Sequence, residues 1–316
     1  MRLFDLHCDT LYECWRTGER LEANRLHIDL DRGRRFDAWA QVFAVWMPDT
    51  IRGEGAWLQC RTILELAHSK AAALSDRMEL ARSGEEIDRA LSAGRCAAIL
   101  AVEGGSALAG SLEHIRDLAE RGVRILTLTW NGENELGFGS GCGEAAGLKP
   151  FGRQAVKELA RRGIVPDVSH LNEAGFWDVI EHSTLPPVAS HSNARALCEH
   201  TRNLTEAQIR AVIEKKGYIG VNFYSAFLAN GRAATLEDVY RHVDAILQLG
   251  GEDVVGFGSD FDGIDAWPEG LANPADFPAL LNFLAARGGY APEVLEKIAG
   301  GNLFRVLKAA EAARQA

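Results

Sequence analysis

Residues 96–105 read CAAILAVEGG: seven apolar side chains in a row, one glutamate, then two glycines. A run without polar alternation reads as a strand buried on both faces, the habit of a parallel sheet covered by helices. Its polar stop, Glu103, is a side chain able to bind metal. The same form recurs along the chain: LFDL (3–6) leads to His7 and Asp9, IVPDVS (164–169) to His170, PPVAS (186–190) to His191, and DVVGFGS (253–259) to Asp260. Three further runs, QVFAVWM (41–47), VRILTLTW (123–130) and GYIGVNFY (217–224), share the β-branched and apolar enrichment of strands. Eight strands are therefore expected.

Helical periodicity fills the gaps, over 57–73, 85–93, 111–121, 152–162, 172–182, 205–215 and 236–249. Strand alternating with helix predicts right-handed crossovers and a parallel sheet. Both an open doubly wound sheet and a closed barrel satisfy that order. The barrel is preferred because ligands ending the first, third, fifth, sixth and eighth strands converge only if the sheet curls round on itself. The expectation is an α/β fold, a (β/α)8 TIM-type barrel in one domain over 1–316. Extra C-terminal helices are expected at 274–287 and 292–308, the second interrupted at Gly300-Gly301. The stretch 10–40 is long for a connection in such a fold and should shape access to the mouth.

Composition narrows the function. Of 316 residues, 47% are hydrophobic and 25% charged, as in a soluble globular protein, and the formal charge of -10 disfavours nucleic acid as a partner. No run approaches the roughly 18 apolar residues of a membrane span, and the N-terminus enters a strand directly, so a cytoplasmic protein without membrane association is expected. Six scattered cysteines, Cys8, Cys14, Cys60, Cys96, Cys142 and Cys198, suit reduced thiols.

Three imidazoles and three carboxylates gathered in one pocket repel one another and are costly to desolvate unless cations neutralise them. His7 and Asp9, two residues apart on an extended segment, point to the same side. Glu103 has two oxygens and can bridge two ions, while His170 and His191 offer neutral nitrogens to a second ion. Asp260 is placed to touch metal and take a proton from water, and Asp262 competes for that role. Mixed nitrogen and carboxylate ligands suit Zn²⁺ best, with Mn²⁺, Co²⁺ or Fe²⁺ as alternatives. Two such ions about 3.5 to 4 Å apart hold a bridging hydroxide at neutral pH, which points to hydrolysis.

With these residues in view, the chain resembles the membrane (renal) dipeptidase family of the amidohydrolase superfamily. The motifs are DLHCDT, HIDLDRGR, AVEGG, DVSH, SHSNA, VNFY, GFGSDFDG and GNLFRVL, spread over nearly the whole length. The resemblance implies a two-zinc site with His7, Asp9 and a bridging Glu103, completed by His170 and His191, and Asp260 as proton shuttle. It implies Arg202 as reader of the substrate's carboxylate and carbonyl region, Tyr224 and Gly263 as pocket residues, and a homodimer. One position departs: where members carry a histidine after the fourth strand, this chain has Trp130. Indole cannot carry a positive charge at neutral pH, so oxyanion stabilisation falls to zinc, Arg202, Asn131 or Asn134. The expected activity is hydrolysis of dipeptides, including those with a C-terminal D-residue. The alternatives raised by Trp130 are another small amide or lactone as substrate, or a metal-binding homologue with impaired catalysis.

Overall fold

A computed structural model describes residues 2–36, 38–143 and 146–315. Nine strands form one sheet: β1 (Arg2–Asp5), β2 (Ala38–Trp46), β3 (Met78–Leu80), β4 (Cys96–Glu103), β5 (Val123–Thr127), β6 (Val165–Asp167), β7 (Val188–Ala189), β8 (Tyr218–Val221) and β9 (Val255–Phe257). The order is β2-β1-β9-β8-β7-β6-β5-β4-β3, with β2 also paired to β4. That last pairing closes eight strands into a ring and leaves β3 outside it, on the first half of β4. Every pairing is parallel. The eight closed strands fall in the eight apolar runs, and the fold is a (β/α)8 barrel. The ninth, β3, is three residues long, too short to leave a periodic signal.

Strand alternation sorts side chains into two buried layers. Along β4, Cys96, Ala98, Leu100 and Val102 pack with helix residues such as Ile63, Leu118 and Leu159. Ala97, Ile99 and Ala101 instead join Ala40, Val42, Val165 and Tyr218 in the second cluster, lining the barrel's inside. Leu303, Val306 and Leu307 of the last helix belong to that inner cluster and plug it. Burying the valine, leucine and isoleucine side chains among these contributes about 1.5–3 kcal/mol apiece.

The expected helices occupy Gly53–Ala73, Gly84–Ser92, Leu112–Glu120, Pro150–Arg162, Glu173–His182, Glu206–Glu214 and Leu236–Gln248. Their starts have local causes: Ser83 accepts from Glu86 N, Asn172 from Gly175 N, and Thr205 forms a capping box with Gln208. The C-terminal helices are Phe277–Gly288, Pro292–Glu296 and Asn302–Gln315, the last two separated by an irregular turn containing Gly300 and Gly301. The long connection after β1 carries two helices that were not expected, Thr10–Thr17 and Leu30–Gly33. Among the described residues, no helix is long and apolar enough to cross a membrane, and all six cysteines are free.

Register levels the strand ends. Trp46 pairs with Glu103, Glu103 with Thr127, and Thr127 with Asp167, so one row at the carboxyl end of the barrel already holds two buried carboxylates.

Candidate metal centre

The five strand ends bring His7, Asp9, Glu103, His170, His191 and Asp260 to one mouth. Three overlapping sets have ligand atoms within 4.8 Å of one another: His7, Asp9 and Glu103; Glu103, His170 and His191; His7, His191 and Asp260. Glu103 divides its oxygens between the first two. Oε2 lies 3.4 Å from His7 Nε2, while Oε1 lies 2.9 Å from His170 Nε2 and 3.6 Å from His191 Nε2. Gly104, at φ 101°, turns the chain away directly after it, a conformation only glycine adopts readily. His170 and Asp260 themselves sit in the left-handed region, at φ 68° and 63°. Such strain costs on the order of 1–3 kcal/mol per residue and persists only where the surroundings impose it.

The surroundings also fix the rings. Asp167 ends β6 and accepts four hydrogen bonds, from Ser169 N at 3.0 Å, Ser190 N at 2.9 Å, Ser190 Oγ at 2.6 Å and Thr127 Oγ1 at 2.5 Å. Because Ser190 donates to Asp167, it can only accept from His191 Nδ1, 2.7 Å away. The lone pair of His191 is thereby on Nε2. Asn131 Oδ1, 2.9 Å from His170 Nδ1, sets the same tautomer there. Two bare Nε2 atoms then face each other at 2.8 Å, and His7 Nε2 and Asp9 Oδ1 are buried without a hydrogen-bond partner among the described residues. Lone pairs opposed at that distance beside orphaned donors and acceptors fit divalent cations. Ser190→Ala should weaken the ion at His170 and His191 about 10- to 100-fold. Competition with a chromophoric chelator measures this, and unchanged affinity would show that the ring is held by something else.

Protonation separates the two halves of the centre. Burial, then the charge of Arg202, lowers His170 to about 4, and burial with the charge of His7 lowers His191 well below its ordinary value. Burial raises Asp9 to about 6 and Asp260 to about 7. His7 is opposed by burial but raised well above its ordinary value by Glu103 and Asp9. Burial opposes ionisation of Glu103, yet His7 and His170 hold it well below the usual carboxylate range. Without cations, the His7, Asp9 and Asp260 side therefore keeps protons that metal must displace, while His170, lowered to about 4, and His191, lowered well below its ordinary value, present free nitrogens. Metal affinity is expected to rise from pH 5 to 7.5 at the His7 side and stay nearly flat at the His170 side. Isothermal titration at several pH values checks this, and equal pH slopes for both ions would contradict it.

Asp262 has other work. It accepts from His27 N at 2.5 Å, Thr10 Oγ1 at 2.6 Å and Ile28 N at 3.3 Å, tying the long connection after β1 to the mouth. Asp260 instead accepts from Asn222 Nδ2 at 2.9 Å through Oδ2 and turns Oδ1 toward His7 Nε2, 3.9 Å away. A cavity of about 300 Å³ opens over the centre, bounded by Asp9, Tyr12, Trp46, Glu103, Trp130, Asn131, His170, Asp260 and Gly263 among others. A Cβ on Gly263 would collide with Asp9 Oδ2 and come within 2.6 Å of Asp260 Oδ1. Arg202 and Tyr224 are not among the residues bounding this cavity. Arg202 is buried, with Nε unpartnered among the described residues and one amino group 3.4 Å from His191 O. Tyr224 is half-buried and packs edge-on against Phe227.

Sequence reasoning passed over the supporting shell: Asp5, Asp167, Ser190, Asn222 and Ser259. Asp5 repeats at β1 the pattern of Asp167, accepting from Ser259 N at 2.7 Å and Ser259 Oγ at 2.6 Å. A signal was present, since each aspartate interrupts an otherwise apolar run one residue before its end, in LFDL and VPDV.

A profile of the membrane dipeptidase family (peptidase family M19) matches residues 1–316. An uncharacterised protein of Klebsiella pneumoniae, encoded in the pqqA 5' region, is 38% identical over 265 residues, covering 80% of this chain and 94% of its own length. Dipeptidase tcpJ of Claviceps purpurea is 35% identical over 242 residues, 75% of this chain but only 56% of that longer protein. Among solved structures, a metallopeptidase of Rhodobacter sphaeroides bound to a phosphinate mimic of L-Ala-D-Ala superposes with a TM-score of 0.92 at 29% identity, covering 98% of this chain and 99% of its own. The metallopeptidase called dipeptidase AC does so with a TM-score of 0.92 at 31% identity, covering 98% of each. The barrel, its carboxylate and imidazole cluster, and a match from first residue to last place this chain in the membrane dipeptidase family of metal-dependent peptidases.

Proposed function

We propose that the protein is a zinc-dependent dipeptidase whose two ions are held by His7, Asp9, Glu103, His170, His191 and Asp260. The observation that carries this reading is the division of Glu103's two oxygens between two ligand sets. When bound there, zinc would supply the Lewis acidity that polarises a scissile carbonyl and activates water at neutral pH. The chain does the rest. Asp260, with Oδ2 held by Asn222, uses Oδ1 to receive the proton and return it to the departing amine. Arg202 takes the substrate's carboxylate end, a task suited to its buried, incompletely bonded guanidinium. Burial lowers its pKa only to about 10, so it stays cationic. Tyr224 and Gly263 flank the bound dipeptide, Gly263 by leaving room beside Asp9. The whole chain acts as one catalytic barrel and pairs as a homodimer, which light scattering tests.

Zinc-loaded protein is expected to release free amino acids from L,L and L,D dipeptides and to lose that activity on chelation. Failure on every dipeptide by protein shown to carry metal would reject the reading. The presence of Trp130 in the cavity favours, as second reading, another small amide or lactone. Assay of those compounds beside the dipeptides separates the two by kcat/KM.

A further inference from the structure

Three aromatic side chains stand together at one rim of the mouth. Tyr12 meets Trp46 edge-on with ring centroids 4.8 Å apart, and Trp46 meets Trp130 at 5.0 Å. All three bound the cavity. The wall is built before any ligand arrives. The loop carrying Trp130 is pinned by Gly132 N to Asp49 Oδ2 at 2.7 Å, by Gly141 N to Asn131 O at 3.0 Å, and by Asn131 Oδ1 at the His170 ring. Trp46 is fixed by its place on β2, paired with Glu103.

The position of the wall relative to Arg202 gives it an orientation. Trp46 ends β2 and Arg202 follows β7. Passing β4, β5 and β6, β7 is the fourth strand round the ring of eight, so the two lie on opposite sides of the ring, Arg202 beside His191 O at 3.4 Å. A dipeptide whose carboxylate sits at Arg202 and whose scissile carbonyl lies over the metal centre extends its N-terminal residue toward the wall.

We infer that Tyr12, Trp46 and Trp130 form a side-chain subsite selecting dipeptides with a large apolar N-terminal residue, aliphatic or aromatic. This rests on the dipeptidase reading. The chemistry is chiefly apolar and uncharged: three rings offer faces and edges, with the indole donors of Trp46 and Trp130, the first buried without a partner among the described residues, and the Tyr12 hydroxyl as the polar groups. Glu13, a carboxylate on the cavity's edge, is paired with Arg16 at 2.6 Å, so it does not make the wall a cation site.

The test compares X-Gly with Gly-X dipeptides, X being Gly, Ala, Leu or Phe, on zinc-loaded wild type, Trp130→Ala and Trp130→His. Phosphinate mimics with glycine-like and leucine-like N-terminal halves are measured beside them as inhibitors. In wild type, kcat/KM is expected to rise roughly tenfold or more from Gly to Leu in the X-Gly series, with little slope in the Gly-X series. Both variants should flatten the first slope, chiefly through KM, while thermal melts and metal content show whether either has lost its fold. A steeper slope in the Gly-X series, or a slope that survives both variants, would overturn the subsite. If no dipeptide is cleaved, the dipeptidase reading fails on its own. The inhibitor pair then still decides the wall, since equal binding of the two mimics would reject it.

Discussion

Glu103→Gln is expected to lower kcat/KM by roughly 10³-fold or more and to reduce the retained metal from two ions per chain to one or none. The isosteric amide keeps the size of the side chain but offers one oxygen, and its nitrogen cannot ligate. One of the two sets that share Glu103, with His7 on one side and His170 and His191 on the other, therefore loses its common oxygen. Three imidazoles, two aspartates and the cations would also be left with one negative charge fewer in a buried space. Losing the several kcal/mol of charge stabilisation that a second ion contributes corresponds to a rate loss of that size. Metal analysis after dialysis, with activity assayed in added zinc, checks both halves. A variant that keeps two ions and near-normal turnover would show that Glu103 does not bridge.

Asp260→Asn is expected to lower kcat about 10²- to 10⁴-fold while metal content falls far less, because the proposed arrangement leaves each ion Glu103 and at least one imidazole. The reason is the proton. Burial raises the Asp260 carboxyl to about 7 in the metal-free site, with His7 opposing and Asp9 reinforcing the shift. On the proposed reading a bound cation would lower that value, leaving the group ionised and able to accept a proton at neutral pH. Its ionisation should give kcat/KM an acid limb that rises with pH, and the asparagine variant should lose the limb. Wild-type turnover in Asp260→Asn would move the acid-base role elsewhere. Asp262→Asn is the informative control. That side chain holds His27, Ile28 and Thr10, so its loss should loosen the connection after β1 and raise KM more than it lowers kcat.

Much of this was legible in the chain itself because parallel strands buried on both faces write unbroken apolar runs, and because a barrel turns every strand end toward one mouth. Glu103, His170 and His191 could be placed by that logic alone. β3 could not, since three residues carry no period, nor could the helix Thr10–Thr17, which lies in a stretch read only as a long connection. Between Asp260 and Asp262 the residue pattern left the choice open, and the family resemblance alone favoured Asp260. Both lie at the end of one strand and both have positive φ, and only the neighbours each one meets separate them. Asp167 and Ser190 were overlooked for a different reason. Their task is to decide which nitrogen of His191 carries the hydrogen, and that emerges only when β6 and β7 lie side by side.

The seam of the ring has a consequence for synthesis. Its first strand meets its last through Asp5 and Phe257, and the bridge between Cys8 and Phe261 extends that meeting to the ligands themselves. His7 and Asp9 thus leave the ribosome some 250 residues before Asp260 does, and a nascent chain has no complete ion-binding pocket until its ends have found each other. Ion uptake by the sets that include His7 is then expected to wait for closure of the ring, and a truncated or mispaired chain to emerge without its full complement of metal.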